Sequence, residues 1–432
     1  MSATYQTNGH PAVDLSTTEL LRFATAGSVD DGKSTLIGRL LYDSKQVFED
    51  QLEHVTEVSR RRGSDEIDLA LLVDGLRAER EQGITIDVAY RYFTTPRRRF
   101  IIADCPGHQQ YTRNMVTGAS TADLAVVLLD ARKGVLEQSK RHAFISALLG
   151  IPHIVVAVNK MDLVGYSQER FAEIIADFAP FLEKIGVADW LNIPISALRG
   201  DNVVDASEQT PWYGGPTLLR HLEEVEVSYD HPYDVPARFP VQWVVRTGGS
   251  EGEYRGYGGQ LASGALRAGE EVIVLPSGHR TRIAAIDTYE GELDEAIAPL
   301  SLTLRLEDDL DVARGELIAG LSEPPTVTRE FIADICWLDS EPLRAGGRYE
   351  IKHTSHTATA IVDALIDRVD VETLERDLAP SELGLNDIAR VSIRTSAPLA
   401  IDPYARNRRT GSFVLIDEST DATVGAGMIV SA

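Results

Sequence analysis

Gly27-Ser-Val-Asp-Asp-Gly-Lys-Ser34 decides the fold. The stretch fits G-x-x-x-x-G-K-[ST], and it stands between an apolar run at 23–26 and a helical pattern that opens at Ser34 and Thr35. Strand, glycine loop and helix in that order form a phosphate cradle. Gly27 and Gly32 let the loop wrap tightly enough for backbone N–H groups to face phosphate oxygens. Lys33 reaches the β and γ oxygens as a compact charge, and the Ser34 hydroxyl suits Mg²⁺. The helix N-terminus adds its positive dipole. Gly27, Ser28, Val29, Asp30, Asp31, Gly32, Lys33, Ser34 and Thr35 are therefore expected to surround the phosphates of a nucleotide.

Around this loop, short apolar runs at 23–26, 89–93, 100–103, 124–130, 154–159 and 192–196 alternate with helical patterns such as 137–149 and 168–185. Unbroken runs such as Leu-Ala-Val-Val-Leu-Leu suit strands buried on both faces of a mostly parallel sheet. The runs at 89–93 and 100–103 are close enough for a hairpin, which places one antiparallel strand at an edge. After about Val227 the texture changes. A polar, proline-containing segment at 229–236 reads as a linker, and short alternating strands with glycine turns follow at 240–245, 259–262, 271–275 and 280–287. That is barrel texture rather than βαβ. A second break at 322–326 precedes another strand-rich stretch. The expected fold is an α/β P-loop domain with helices on both faces of the sheet, followed by two β-barrels. Its boundaries are a lead-in at 1–20, the α/β domain at 21–228 and barrels at 237–321 and 327–432.

Three further segments complete the chemistry. Asp104-Cys-Pro-Gly-His108 ends an apolar strand. A carboxylate there holds Mg²⁺ through a water, and Gly107 brings its amide close to the γ-phosphate. Asn159-Lys-Met-Asp162 ends another strand. Asp162 can accept from both N1–H and the 2-amino group of guanine, a pair of donors that adenine lacks. Asn159 completes the base pocket and the Lys160 stem covers its face. Ser196-Ala-Leu198 ends a later strand, where a backbone amide can donate to guanine O6. The order of these motifs selects GTP over ATP. Between the loop and Asp104 lies Glu79-Arg-Glu-Gln-Gly-Ile-Thr-Ile86, where Thr85 is the candidate to place a hydroxyl on Mg²⁺ and an amide on the γ-phosphate. The expected metal ligands are thus Ser34, Thr85 and Asp104.

Composition narrows the class. A formal charge of −24, from 66 acidic and 42 basic residues, argues against nucleic acid as the main partner. Cys105 and Cys336 form neither a disulfide framework nor a zinc spacing, which suits a reduced, cytoplasmic setting. No apolar run reaches the length of a membrane span, and the first residues lack a secretory pattern. No second G-x-x-x-x-G-K-[ST] follows residue 34, so the chain is expected to stop at its third domain.

The sequence resembles the translational-type GTPases such as elongation factor Tu, and within them most resembles the large subunits of bacterial sulfate adenylyltransferase (ATP sulfurylase). The resemblance rests on residues 27–41, on 71–87, on the run from Asp104 through Asp123, on 130–138 and on Thr410-Gly-Ser-Phe-Val-Leu-Ile-Asp417. It implies that His108 orients the water attacking the γ-phosphorus, and that Val29 and Ile84 form an apolar gate around that histidine. It also implies a partner: a small subunit that joins ATP and sulfate into adenosine 5′-phosphosulfate, a step that GTP hydrolysis would drive. Ser28 and Asp31 stand where elongation factor Tu carries histidines, which separates the chain from the tRNA carriers. Delivery of aminoacyl-tRNA and GTP-driven assembly without a metabolic partner are the two other readings open at this point.

Overall fold

A computed structural model describes residues 19–45, 49–61, 67, 69–73, 87–108, 111–226, 233–247 and 254–432. Thr85 and Ile84, the lead-in up to residue 18 and the first part of the 229–236 linker lie outside these. The chain divides near residue 228 into two compact units.

In the first unit, strand β1 (Leu20–Gly27) leads through the glycine loop into helix α1 (Lys33–Asp43), and helix α2 (Glu49–Arg61) follows. Strands β2 (Ala89–Thr94) and β3 (Arg99–Asp104) form the expected hairpin. After them come α3 (Thr112–Ala119), β4 (Leu124–Asp130), α4 (Glu137–Leu148) and β5 (His153–Asn159). The unit closes with α5 (Gln168–Lys184), β6 (Asp189–Pro194) and α6 (Leu218–Glu224). The six strands form one sheet in the order β2-β3-β1-β4-β5-β6, with only β2 antiparallel to its neighbour.

Every residue of β4 is buried, as its unbroken apolar run requires of a central parallel strand. Helix α1 buries Leu36, Ile37, Leu40 and Leu41, one face of a 3.6-residue period. These pack with Leu21, Phe23, Phe100, Ile102, Leu124 and Val126 in the main core of the unit. Burying each such side chain contributes roughly 1.5–3 kcal/mol. The cluster therefore fixes the strand ends that carry the polar residues. Arg98, in the β2–β3 turn, donates to the carbonyls of Leu222 (3.1 Å) and Val225 (2.6 Å) and so ties the hairpin to the end of α6.

The second unit contains two antiparallel seven-stranded sheets. In the first, Arg238–Thr247, Tyr254–Gln260, Glu271–Leu275, His279–Thr288, Ser301–Leu306 and Leu317–Gly320 form a barrel that closes where Glu271–Leu275 pairs with both Leu317–Gly320 and His279–Thr288. The second closes in the same way through Arg348–His353, which pairs with His356–Val369 and Ser412–Ile416. Closure removes the exposed edges that would otherwise invite pairing with other chains. A strand expected at 259–262 instead spans Tyr254–Gln260. Its Gly259 is there for close approach, because a Cβ would stand 2.5 Å from the Pro240 carbonyl oxygen. Strand propensity does not report such a contact.

The two barrels of this unit are pinned together by a buried pair. Arg238 reaches both carboxylate oxygens of Asp402, at 2.8 and 3.0 Å, and Thr410 donates to the same carboxylate at 2.6 Å. Among the described residues no helix is long and apolar enough to cross a membrane.

Candidate functional site

The polar residues of the first unit gather at the C-terminal ends of the parallel strands, where helices begin and unpaired amides face outward. Strand β1 delivers Gly27 to this edge, and α1 starts six residues later. The first turn of α1 has no side-chain cap and no acidic residue, so its amides are open to an anion. Ser34 and Thr35 lie in that turn, half-buried. Val29 is also half-buried in the loop.

Lys33 is buried, and its Nζ donates to the Gly27 carbonyl at 2.9 Å and the Ser28 carbonyl at 3.0 Å. Burial pushes its ammonium below the ordinary lysine range, and the nearby Asp104 and Asp31 carboxylates oppose that shift. A phosphate in the loop would favour the charged form further. Asp104 ends β3 in register with Thr25 of β1, whose hydroxyl donates to it at 3.3 Å. Three residues on, Gly107 lies directly against the loop. A Cβ at this position would meet Lys33 Nζ at 2.6 Å and the Gly27 carbonyl oxygen at 2.8 Å. Only a glycine lets the Asp104 segment approach Lys33 and the Gly27 carbonyl this closely. His108 follows, half-buried, with its ring edge-on to Tyr111 at 6.1 Å between centroids. The Tyr111 amide donates to the His108 carbonyl at 3.0 Å, which folds the segment back into α3.

The ends of β5 and β6 form the second half of the site. Asn159 is buried and acts as a staple: its Nδ2 donates to the Asp31 carbonyl at 2.7 Å, and its Oδ1 accepts from the amides of Lys160 (2.8 Å) and Ala197 (2.9 Å). The glycine loop and the loops that end β5 and β6 are thereby joined through one amide side chain. Lys160, with a left-handed backbone, donates through Nζ to the Asp30 carbonyl and to Asp130 at 3.0 Å. Burial of Asp130 would raise its pKa, but hydrogen bonds from Arg132 and Lys160 hold the carboxyl well below the usual carboxylate range. The Lys160 stem is thus anchored at both ends of its reach. The Ser196 hydroxyl donates to Asp162 Oδ1 at 2.7 Å and fixes that carboxylate at the edge of the site. The Ala197 amide is taken by Asn159, whereas the Leu198 amide donates to no described residue.

The structure therefore brings together the phosphate loop, Asp104, Gly107, Asn159, Lys160, Asp162 and the Ser196–Leu198 segment. Two contributors escape a motif-based reading. Thr25 precedes the glycine loop by two positions and orients Asp104. Arg39 reaches from α1 to the carbonyls of Ala197, at 3.1 Å, and Leu198, across 158 and 159 positions of sequence. No local pattern announces a contact of that range.

Residues 18–228 match the family model of the elongation factor Tu GTP binding domain, and residues 330–430 match the GTP-eEF1A C-terminal domain-like family. The chain is 58% identical over 415 residues to the "Bifunctional enzyme CysN/CysC" of Mycobacterium tuberculosis, covering 96% of this chain and 67% of that protein. It is 52% identical over 414 residues to "Sulfate adenylyltransferase subunit 1" of Bacteroides fragilis, covering 95% of this chain and 86% of that one. Among solved structures it is similar to Sup35 complexed with GMPPNP, at 25% identity and a TM-score of 0.44, covering 97% of this chain and 95% of that one. Glycine loop, aspartate strand end and the loops at the ends of β5 and β6 thus occur in a chain that is 58% and 52% identical to these two relatives over nearly all of its own length; the chain belongs to the sulfate adenylyltransferase subunit 1 family, within the elongation factor Tu-like GTPases.

Proposed function

We propose that this chain binds GTP in the β1–α1 loop and hydrolyses it to drive synthesis of adenosine 5′-phosphosulfate from ATP and sulfate on a separate small subunit. The observation that carries the GTPase half is the convergence of Lys33, Gly107 and Asn159 on one loop. The coupling half is supported by relatives that bear the name sulfate adenylyltransferase subunit 1 over most of this chain. Joining ATP to sulfate releases pyrophosphate and is uphill; hydrolysis of GTP to GDP and phosphate supplies the missing driving force.

Lys33 and the first-turn amides of α1 take up the charge that develops on the β–γ bridge as the γ-phosphoryl leaves. The donor set of Ser34 and Asp104 fits a hard cation at the loop, and Thr85 would complete the set from outside the described residues. Mg²⁺ bound there would neutralise charge on the β and γ oxygens. His108 holds the attacking water in line. Val29 and Ile84 screen that histidine, and Ile84 also lies outside the described residues. Asp162 reads N1–H and the 2-amino group of guanine, the Leu198 amide reads O6, and the Lys160 stem covers the base. The two barrels form separate domains that transmit the state of the site to the partner, in the cytoplasm.

No arginine of the described residues stands in the phosphate cradle as a finger, so turnover alone is expected to be slow. GTP hydrolysis should be measured with this chain alone and with a sulfate adenylyltransferase small subunit, ATP and sulfate. The reading expects acceleration of at least about tenfold. Equal rates with and without the small subunit would contradict it.

A further inference from the structure

Asp31 occupies an unusual position for a negative charge. It is 1% exposed, beneath a loop built to hold a polyanion. Its Oδ2 accepts from the Ser28 amide at 2.7 Å, whereas its Oδ1 is buried without a partner among the described residues. A Cβ built on Gly27 would lie 3.4 Å from Oδ2, so the carboxylate abuts the same peptide whose carbonyl accepts from Lys33. The Asp31 backbone carbonyl is held by Asn159, which leaves the side chain little freedom to turn away. Burial pushes its carboxyl up, while Lys33, the Ser28 amide and Lys133 favour the ionised form.

A buried carboxylate with one unsatisfied oxygen is costly, and a loop needing only a turn could tie Ser28 with a neutral side chain. What a carboxylate adds is charge. Inside a low-dielectric loop that charge opposes the phosphates and competes with them for Lys33.

We infer that Asp31 limits nucleotide affinity: its carboxylate repels the bound phosphates and so speeds release of GDP from this GTPase. The inference rests on the β1–α1 loop being the phosphate site, which GDP binding by the unaltered chain tests by itself.

The test is Asp31→Asn, which keeps an oxygen for the Ser28 amide and removes the charge. GDP, GTP and guanosine affinities and GDP dissociation rates are measured for both proteins. The inference expects Asp31→Asn to bind GDP about tenfold more tightly and to release it more slowly, with a gain at least as large for GTP and no gain for guanosine. That dependence on phosphate charge is one that a merely structural role would not produce. Asp31→Ser, which also retains an acceptor for a turn without a charge, repeats the measurement should the asparagine variant fold poorly. Unchanged or weakened GDP binding in the folded variant would overturn the inference, as would an equal gain for guanosine. Failure of the unaltered chain to bind GDP would instead overturn the phosphate-site reading.

Discussion

Replacing His108 by alanine is expected to slow GTP hydrolysis by about 10²–10⁴-fold while leaving the affinity for a non-hydrolysable GTP analogue nearly unchanged. The bare α-carbon of Gly107 lies against Lys33 and the Gly27 carbonyl, so the next residue begins beside the loop proposed to hold the γ-phosphate. His108 is only half-buried there, and its backbone carbonyl, rather than its ring, makes the local turn with Tyr111. Removing the imidazole therefore leaves that backbone contact in place. The phosphate contacts assigned to Lys33 and the α1 amides also survive, which is why binding should hold. Single-turnover hydrolysis and analogue binding, measured on the same variant, separate the two roles. A parallel loss of affinity would assign His108 to nucleotide binding instead of water positioning.

Asp162→Asn is expected to weaken GDP binding by about 10²–10⁴-fold and to turn base preference toward xanthine. A carboxylate accepting two hydrogen bonds is worth about 1.5–3 kcal/mol per bond when one group is charged, and both bonds to guanine are lost or reversed by an amide. Xanthine carries a carbonyl where guanine has its 2-amino group, so the amide nitrogen can donate to it. The Ser196 hydroxyl at 2.7 Å can still donate to the asparagine oxygen, which keeps the side chain in place and makes the change one of chemistry rather than position. Competition between GDP and xanthosine diphosphate reads the outcome. An unchanged preference would remove Asp162 from the base pocket.

Where a residue's role follows from its own neighbours in sequence, it was legible. The run Leu124–Asp130 emerged with both ends as read, because a strand buried on both faces has no polar residue to blur it. The β2–β3 hairpin and its edge position followed from a short polar turn between two apolar runs. β6 was less well placed: it starts at Asp189, three residues before the expected run, because its pairing with His153 of β5 continues through exposed and half-buried residues. In the candidate site, motif spacing points to the glycine loop, Asp104 and the loops after β5 and β6, which the fold brings to one edge of the sheet. It did not reveal that the Asn159 amide spends its hydrogen bonds joining those loops. Arg39 was equally hidden, since the carbonyls it holds are brought to it only by folding. In the sequence Asp31 reads as one more loop residue; its burial, and an oxygen with no partner among the described residues, are properties of the packed loop.

The most direct test of the coupling is a yield. This chain and a sulfate adenylyltransferase small subunit are mixed with ATP and sulfate, and adenosine 5′-phosphosulfate is measured at its plateau with GTP, without it, and with a non-hydrolysable analogue. The account predicts a plateau with GTP well above the level reached without it, and loss of that excess with the analogue. A complex that forms and consumes GTP, yet reaches the same plateau in all three mixtures, would contradict the claim that hydrolysis on this chain drives sulfate activation.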